Sequence, residues 1–279
     1  MSNFMTEDEY RDSEFCHVSD MWINFLQSAY EYLKVVHAAI QVIPPMVENV
    51  TDLGESVSNG VSGIDLKSRS FLTDARRAAT REMRSEFQLT NALVLMAAWG
   101  AFESFIDDAC LAVISHDRSV LKRVGLSKVK YSIDDFLQLD EGDLVERVFK
   151  DAVGGLGSVG PGVGKFESRL DLVGLKASVP KPIGDEIFRA QQDRNVWAHR
   201  GGIADRRYRS SSGAGHRVPG DKVKISRLEI EDYLLALSLY GYIVINRFRE
   251  KYGLSRIPLT DPHPHRLRNA YFEMFPNPV

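Results

Sequence analysis

Apolar residues return every three or four positions through most of the chain, the period of an α-helix with one buried face. From Asp20 to Ile43 the stripe runs Ile23, Leu26, Tyr30, Leu33, His37 and Ile40, and Pro44-Pro45 is expected to stop that helix. Residues 71–115 hold no proline and a single glycine, Gly100. As one helix they would reach about 67 Å, long for a compact domain. The pattern therefore predicts two helices, with a break near Thr90–Asn91 or at Gly100. A shorter helix is predicted over Asp143–Val153, and another from Gly184 or Asp185 to about His199, where Gly201-Gly202 ends it. The last long stripe is Ile230, Leu234, Leu237, Gly241, Val244 and Phe248. It follows a capping-box pattern at Ser226 and Glu229 and closes at Gly253.

The connections are read from turn chemistry. A Gly/Ser/Asn stretch at 54–63 is expected to be loop. "GGLGSVGPGVGK", at 154–165, invites comparison with a phosphate-binding loop but lacks its spacing: Val159 stands where the first glycine belongs, and Phe166 follows Lys165. It reads as a flexible connector. "HRVPGDKVKIS" places a Pro-Gly-Asp turn between β-branched residues, so a small hairpin is expected near 216–225. No internal repeat or heptad run stands out. The expected architecture is all-α: a single helical domain over 19–253, with its core at about 70–250. An acidic flexible arm at 1–18 and an irregular, proline-rich tail at 254–279 flank it.

Composition adds little until charge is mapped. At 279 residues, 44% hydrophobic and 26% charged, the chain falls in the range of globular proteins. Its longest apolar runs, such as "NALVLMAAWGAF", are too short to span a bilayer. The acidic N-terminus lacks the order of a signal peptide. Cys16 and Cys110 set no disulfide framework, so a reducing cytoplasm is expected. The net charge is −3, but from Arg194 to Arg227 nine Lys/Arg face only Asp205 and Asp221, a window of 9 − 2 = +7. The remainder is then −10, since −3 − 7 = −10. Such a basic island favours a phosphate-bearing partner, the plainer reading being a solvated charged loop.

Most catalytic chemistries find no support. There is no His-Glu-x-x-His, no paired Cys-x-x-Cys and no Gly-x-Ser-x-Gly, and neither cysteine has a nucleophile's signature. His263 and His265 belong to the proline-rich tail and are expected to be solvated. No cofactor and no metal site are expected.

"DRNVWAHRGGIAD" remains. On a helix Asn195 and His199 share a face with Phe188 and Gln192. Arg194 lies five residues before His199, about 140° away around the axis, so it meets the histidine only if the helix loosens or a second subunit contributes. Histidine moves protons near neutral pH, and arginine clamps a phosphate and stabilises its developing charge. Asparagine orients the imidazole or bonds a ribose. This set fits attack of an RNA 2′-hydroxyl on its neighbouring phosphate, which needs no metal.

Arg194, four intervening residues and His199, with the polar Asn195 just after the arginine, resemble the R-x4-6-H motif of the HEPN superfamily. These are helical domains found in prokaryotic toxin, antiphage and CRISPR-associated ribonucleases. "WGAFESF" and "RNVWAHRGG" look most like the RiboL-PSP type and its relatives. The family places its motif before the last long helix, as here. The resemblance implies a HEPN-like helical bundle carrying an added N-terminal helix. It also implies a cytoplasmic endoribonuclease that leaves 2′,3′-cyclic phosphate ends, in a toxin or antiphage setting.

The resemblance further implies a homodimer whose two motifs share one cleft. His199 would be the general acid/base, Arg194 the phosphate ligand, Asn195 an orienting group and Glu103 a supporting carboxylate. Glu103 shares a face with Trp99, Ile106 and Cys110. If buried there it needs a basic partner, Arg194 or His199; otherwise it is an edge carboxylate. Arg200, Arg206, Arg207 and Arg209 would guide the RNA. A regulatory or antitoxin partner is compatible, a membrane is not expected, and modification of the position two beyond His199 is not expected because Gly201 stands there. Two other readings are a non-catalytic HEPN-like dimeric RNA-binding or protein scaffold and a plain helical structural protein. The last leaves the basic island unexplained.

Overall fold

The computed structural model describes residues 4–57, 66–123, 125–130, 140–157, 160–211, 219–259 and 263–276. Among them the fold is all-α, with no strand. The helices are α1 (Glu7–Arg11), α2 (Glu14–Val57), α3 (Leu66–Arg84), α4 (Gln88–His116), α5 (Glu141–Gly154), α6 (Val163–Leu172), α7 (Lys181–Arg200), α8 (Arg206–Ser211), α9 (Arg227–Lys251) and α10 (Arg266–Met274). A short 3-10 turn, Arg118–Lys122, follows α4.

The bundle is built on α4 and α9, whose apolar faces are almost wholly withdrawn from solvent. Phe102 of α4 meets Trp22 of α2, Phe166 of α6 and Tyr240 of α9, with ring centroids 5.0–5.6 Å apart. Trp22 lies so close to Gly241 that a Cβ there would collide with the indole, which explains a glycine inside the buried stripe of α9. By length and apolar content α4 is a helix that could cross a membrane, contrary to the expectation that no run is long enough. Half of its most apolar stretch is buried inside the bundle.

Local signals place several elements as expected. Ser226 and Glu229 exchange side-chain and main-chain hydrogen bonds at the start of α9. Its predicted stripe is buried, and Gly253 after its end has φ +81°. Helix α5 brackets the predicted 143–153. Helix α7 begins at Lys181, three or four residues before the expected Gly184 or Asp185, with Pro182 in its first turn.

Other expectations give way to packing. Pro44 and Pro45 lie inside α2 instead of ending it. The segment beyond them is held by α3, through buried Val47 and Ala79 and an Arg76–Glu48 ion pair. The break before α4 falls at Ser85–Phe87, where Glu86 and Phe87 adopt φ 59° and 60° and the Phe87 ring stacks on His37 at 4.2 Å. Asn91 is needed inside the helix. Its Nδ2 donates to the Ile225 carbonyl at 2.7 Å, while Gln88 Oε1 accepts from the Ile225 N–H at 2.6 Å. Gly100 sits unstrained within α4.

The terminal segments are also corrected. The arm expected to be flexible over 1–18 is helical from Glu7, apart from a turn at Asp12–Ser13, and Phe15 stacks on Phe248 at 3.6 Å. The tail contains α10, with Leu267 and Tyr271 buried. His265 is not merely solvated: Nδ1 accepts from the Leu267 N–H as a helix cap, so Nε2 carries the proton shared with Asp232.

Of the predicted loop at 54–63, residues 54–57 are helical and the rest lies outside the described residues. The glycine-rich connector is partly helix, since Gly164 and Lys165 belong to α6. No hairpin forms over 219–225. Instead 220–223 pairs with 202–204, the Val223 N–H donating to the Gly202 carbonyl at 2.7 Å and the Ala204 N–H to the Asp221 carbonyl at 2.9 Å. Residues 216–218, including the Arg217 of the basic island, lie outside the described residues.

Candidate functional site

Helix α7 carries Arg194, Asn195 and His199 without loosening, so the arginine and histidine keep their angular offset. The Nη1 of Arg194 donates to Asn195 Oδ1 at 3.1 Å. Asn195 therefore steers the guanidinium rather than the imidazole. The Arg194 Nε–H is buried and finds no acceptor among the described residues. His199 is exposed and makes no hydrogen bond to Arg194, Asn195 or Glu103. Within the chain the predicted set does not close.

The end of α7 is sharply defined. Gly201 caps it in the left-handed region at φ 59°, and Gly202 follows at φ 85°. Gly202 also lies beneath the Trp197 indole, where a Cβ would come within 2.9 Å of Cε2. Both positions need glycine for backbone shape, and the second for space as well.

A residue the sequence reading passed over anchors this end. Asp193 is buried and accepts from the Tyr208 hydroxyl at 2.6 Å and the Tyr233 hydroxyl at 2.7 Å. One carboxylate thereby ties α7 to α8 and α9. Burial, reinforced by the Asp193 charge, drives the Tyr233 phenol far above its usual range, so it remains a donor. The only sequence signal was an acid on the apolar side of the motif helix. A small cluster of Val196, Ala204, Tyr208 and Val223 completes the attachment.

The basic island is thus an ordered surface over 200–211 and 219–227. Arg200, Arg206, Arg207 and Arg209 are exposed on it, with Lys222 5.6 Å above the Trp197 ring. Asp205 accepts from the Tyr208 N–H at 2.8 Å and caps α8. Arg200 approaches Asp205 at only 4.0 Å.

Glu103 is half-buried on α4, and its direct partner is neither Arg194 nor His199. Lys165 of α6 donates to Glu103 Oε1 at 2.5 Å. Burial opposes the carboxylate charge, but the hydrogen bond and charge of Lys165 outweigh it, with help from Trp99 and the charge of Arg194. The net effect holds Glu103 below the usual carboxylate range. Arg194 is thus close enough to be felt, as a second cation rather than the ion-pair partner. In the sequence Lys165 stands out only as the lysine of an imperfect phosphate-loop pattern. A helix-to-helix pairing 62 residues apart left no local trace.

The two cysteines are free, and burial drives the Cys110 thiol far above its usual range, which removes its nucleophilic character. A cavity of about 780 Å³ lies away from the motif, between α2, α9 and the C-terminal segment. None of Arg194, Asn195, His199 or Glu103 lines it.

The class these observations define is a helical bundle with a polar, cation-rich helix end. No family model, no curated protein and no solved structure matches the chain.

Proposed function

We propose that the protein is a metal-independent endoribonuclease of HEPN type, acting as a homodimer with a composite cleft. The reading is carried by one arrangement: within two turns of α7 lie a guanidinium steered by an amide, with one buried N–H unpaired, and an exposed histidine. Exposed Arg200, Arg206, Arg207 and Arg209 border it. In the proposed reaction His199 takes the proton of an RNA 2′-hydroxyl as that oxygen bonds to phosphorus. The bond from phosphorus to the 5′-oxygen breaks, and that oxygen receives a proton from imidazolium. Arg194 neutralises the phosphate charge, Asn195 fixes the guanidinium, and Glu103 supplies a carboxylate behind Arg194.

The angular offset supports a composite cleft, in which His199 of one chain works with Arg194 of the other. A toxin or antiphage role, a cytoplasmic setting and a regulatory partner belong to the same proposal and rest on the motif's likeness to HEPN proteins.

The test is cleavage of total cellular RNA in EDTA, with the cut ends mapped. Wild type is expected to leave 2′,3′-cyclic phosphate ends, and His199→Ala and Arg194→Ala to lose at least about 10²-fold in rate with folding intact. Wild-type cleavage no faster than that of either variant, with or without added metal, would replace this reading by a non-catalytic RNA-binding or protein scaffold.

A further inference from the structure

Helix α2 has a second apolar face that the bundle does not cover. Met21, Phe25, Tyr32, Val35, Val42 and Met46 are all exposed, Tyr32 by 59% and Val35 by 65%. Ser28 and Ala39, also exposed, fill the two gaps. The resulting spacing is 4, 3, 4, 3, 4, 3, 4, the unbroken heptad seam of a coiled coil. At 1.5 Å per residue it runs about 38 Å, and at one helix width of about 10 Å it covers about 400 Å². That is about the size of the largest apolar patch on a typical monomer, a patch that is often functional.

We propose that this seam is a two-fold interface with the α2 of a second copy of the chain, the two helices running antiparallel. Turning one copy about an axis between residues 33 and 34 sets Met21 against Met46, Phe25 against Val42, Tyr32 against Val35 and Ser28 against Ala39. Each aromatic then faces a valine, so no layer sets ring against ring. A parallel pair would instead stack Phe25 on Phe25 and Tyr32 on Tyr32, while the small Ser28 and Ala39 layers occur in either arrangement. The patch is complementary to itself, as an isologous interface requires.

Charge agrees with this occupant. Along this face and its solvent-side edge the one charged side chain is Glu31. In the antiparallel pair it lies level with Val36 rather than with another Glu31. A lipid surface fits poorly, because the face lacks the lysines and arginines that anionic headgroups favour. The apolar run escapes notice in the sequence because Trp22, Leu26, Leu33 and Val47, which are buried, interleave with it.

This inference does not depend on the ribonuclease reading. The end of α7 is held by α8 and α9, whereas α2 packs on α1, α3, α4 and α9.

The experiment is mass by light scattering or sedimentation at tens of micromolar protein. Val35→Lys is expected to halve the wild-type mass, while Gln41→Lys, exposed but off the seam, leaves it unchanged. In a Cys16→Ser background, Met21→Cys with Met46→Cys should form a dimer-linking disulfide on oxidation. The two positions are about 38 Å apart on one helix and cannot pair within a chain. Met21→Cys alone should not cross-link, since its own mate then lies about 38 Å away along the pair, and if it did the antiparallel arrangement would be wrong. A one-chain wild type, or a mass indifferent to Val35→Lys, overturns the interface. A one-chain protein that floats with vesicles until Val35 is changed would assign the face to lipid instead. RNA cleavage retained while the Val35→Lys mass halves would separate this interface from the nuclease reading.

Discussion

Lys165 donates to Glu103 at 2.5 Å between α6 and α4. One turn further along both helices Arg169 donates to Asp107 at 2.7 Å. Both pairs span 62 residues, so the two helices run parallel in fixed register, with the acids on one and the bases on the other. Lys165→Met should cost about 1 kcal/mol of stability, modest because both groups keep some solvent. It should also raise the Glu103 pKa, since burial then acts with only Trp99 and Arg194 opposing it. Chemical denaturation and a carboxylate NMR titration check the two effects. An unmoved Glu103 titration would mean that Lys165 is not its controlling partner.

Asp193 should be the costliest single polar change near the motif. Asp193→Asn leaves an amide facing two hydroxyl donors, and is expected to lose about 2–3 kcal/mol. Hydrogen exchange should quicken over the end of α7 and over α8 before the rest of the bundle. Tyr208→Phe should cost about 1 kcal/mol, with the same regional pattern. Uniform loosening of the whole fold in either variant would contradict the local anchoring role.

The two glycines after α7 should behave differently. Gly201→Ala imposes only the left-handed backbone penalty, about 1 kcal/mol. Gly202→Ala adds a clash with the Trp197 indole and should cost about 2 kcal/mol or more. Thermal melts of the two variants, with Trp197 fluorescence followed alongside, give the comparison. Equal costs would mean that the indole moves aside freely.

His37 predicts a pH dependence. Burial lowers its pKa more than the Asn91 hydrogen bond raises it. The folded protein therefore refuses a proton that the unfolded chain takes up near pH 6.5. Stability should fall as pH drops through about 6.5, and go on falling until the folded form is protonated too. Melting from pH 7.5 to 5.5 should show the decline, and His37→Gln should flatten it.

If RNA lies along the basic surface, Arg206→Ala and Arg207→Ala should weaken binding by similar factors for unrelated sequences. Each should reduce the slope of log affinity against log salt by about 0.7, the single-strand value per phosphate contact. A loss confined to one RNA sequence would point to base recognition instead.

Helices announced themselves in the sequence because their period, caps and breakers act between residues a few positions apart. The 3.6-residue stripes placed α5, α7 and α9, reciprocal bonding of Ser226 with Glu229 started α9, and Gly201-Gly202 ended α7 where expected. The motif residues were equally visible, being contiguous on one helix. What depended on distant partners was not. Pro44 and Pro45 are strong local breakers, yet packing on α3 carries α2 past them. The break before α4 sits at Glu86–Phe87 because Asn91 is required inside the helix to hold Ile225. Lys165 rather than Arg194 became the ion partner of Glu103, and Asp193 an anchor, through contacts that close only when α6, α8 and α9 are in place. On α2 both faces are apolar, and local periodicity cannot tell which one the bundle will cover. Burial by the other helices made that choice and left the heptad seam outside.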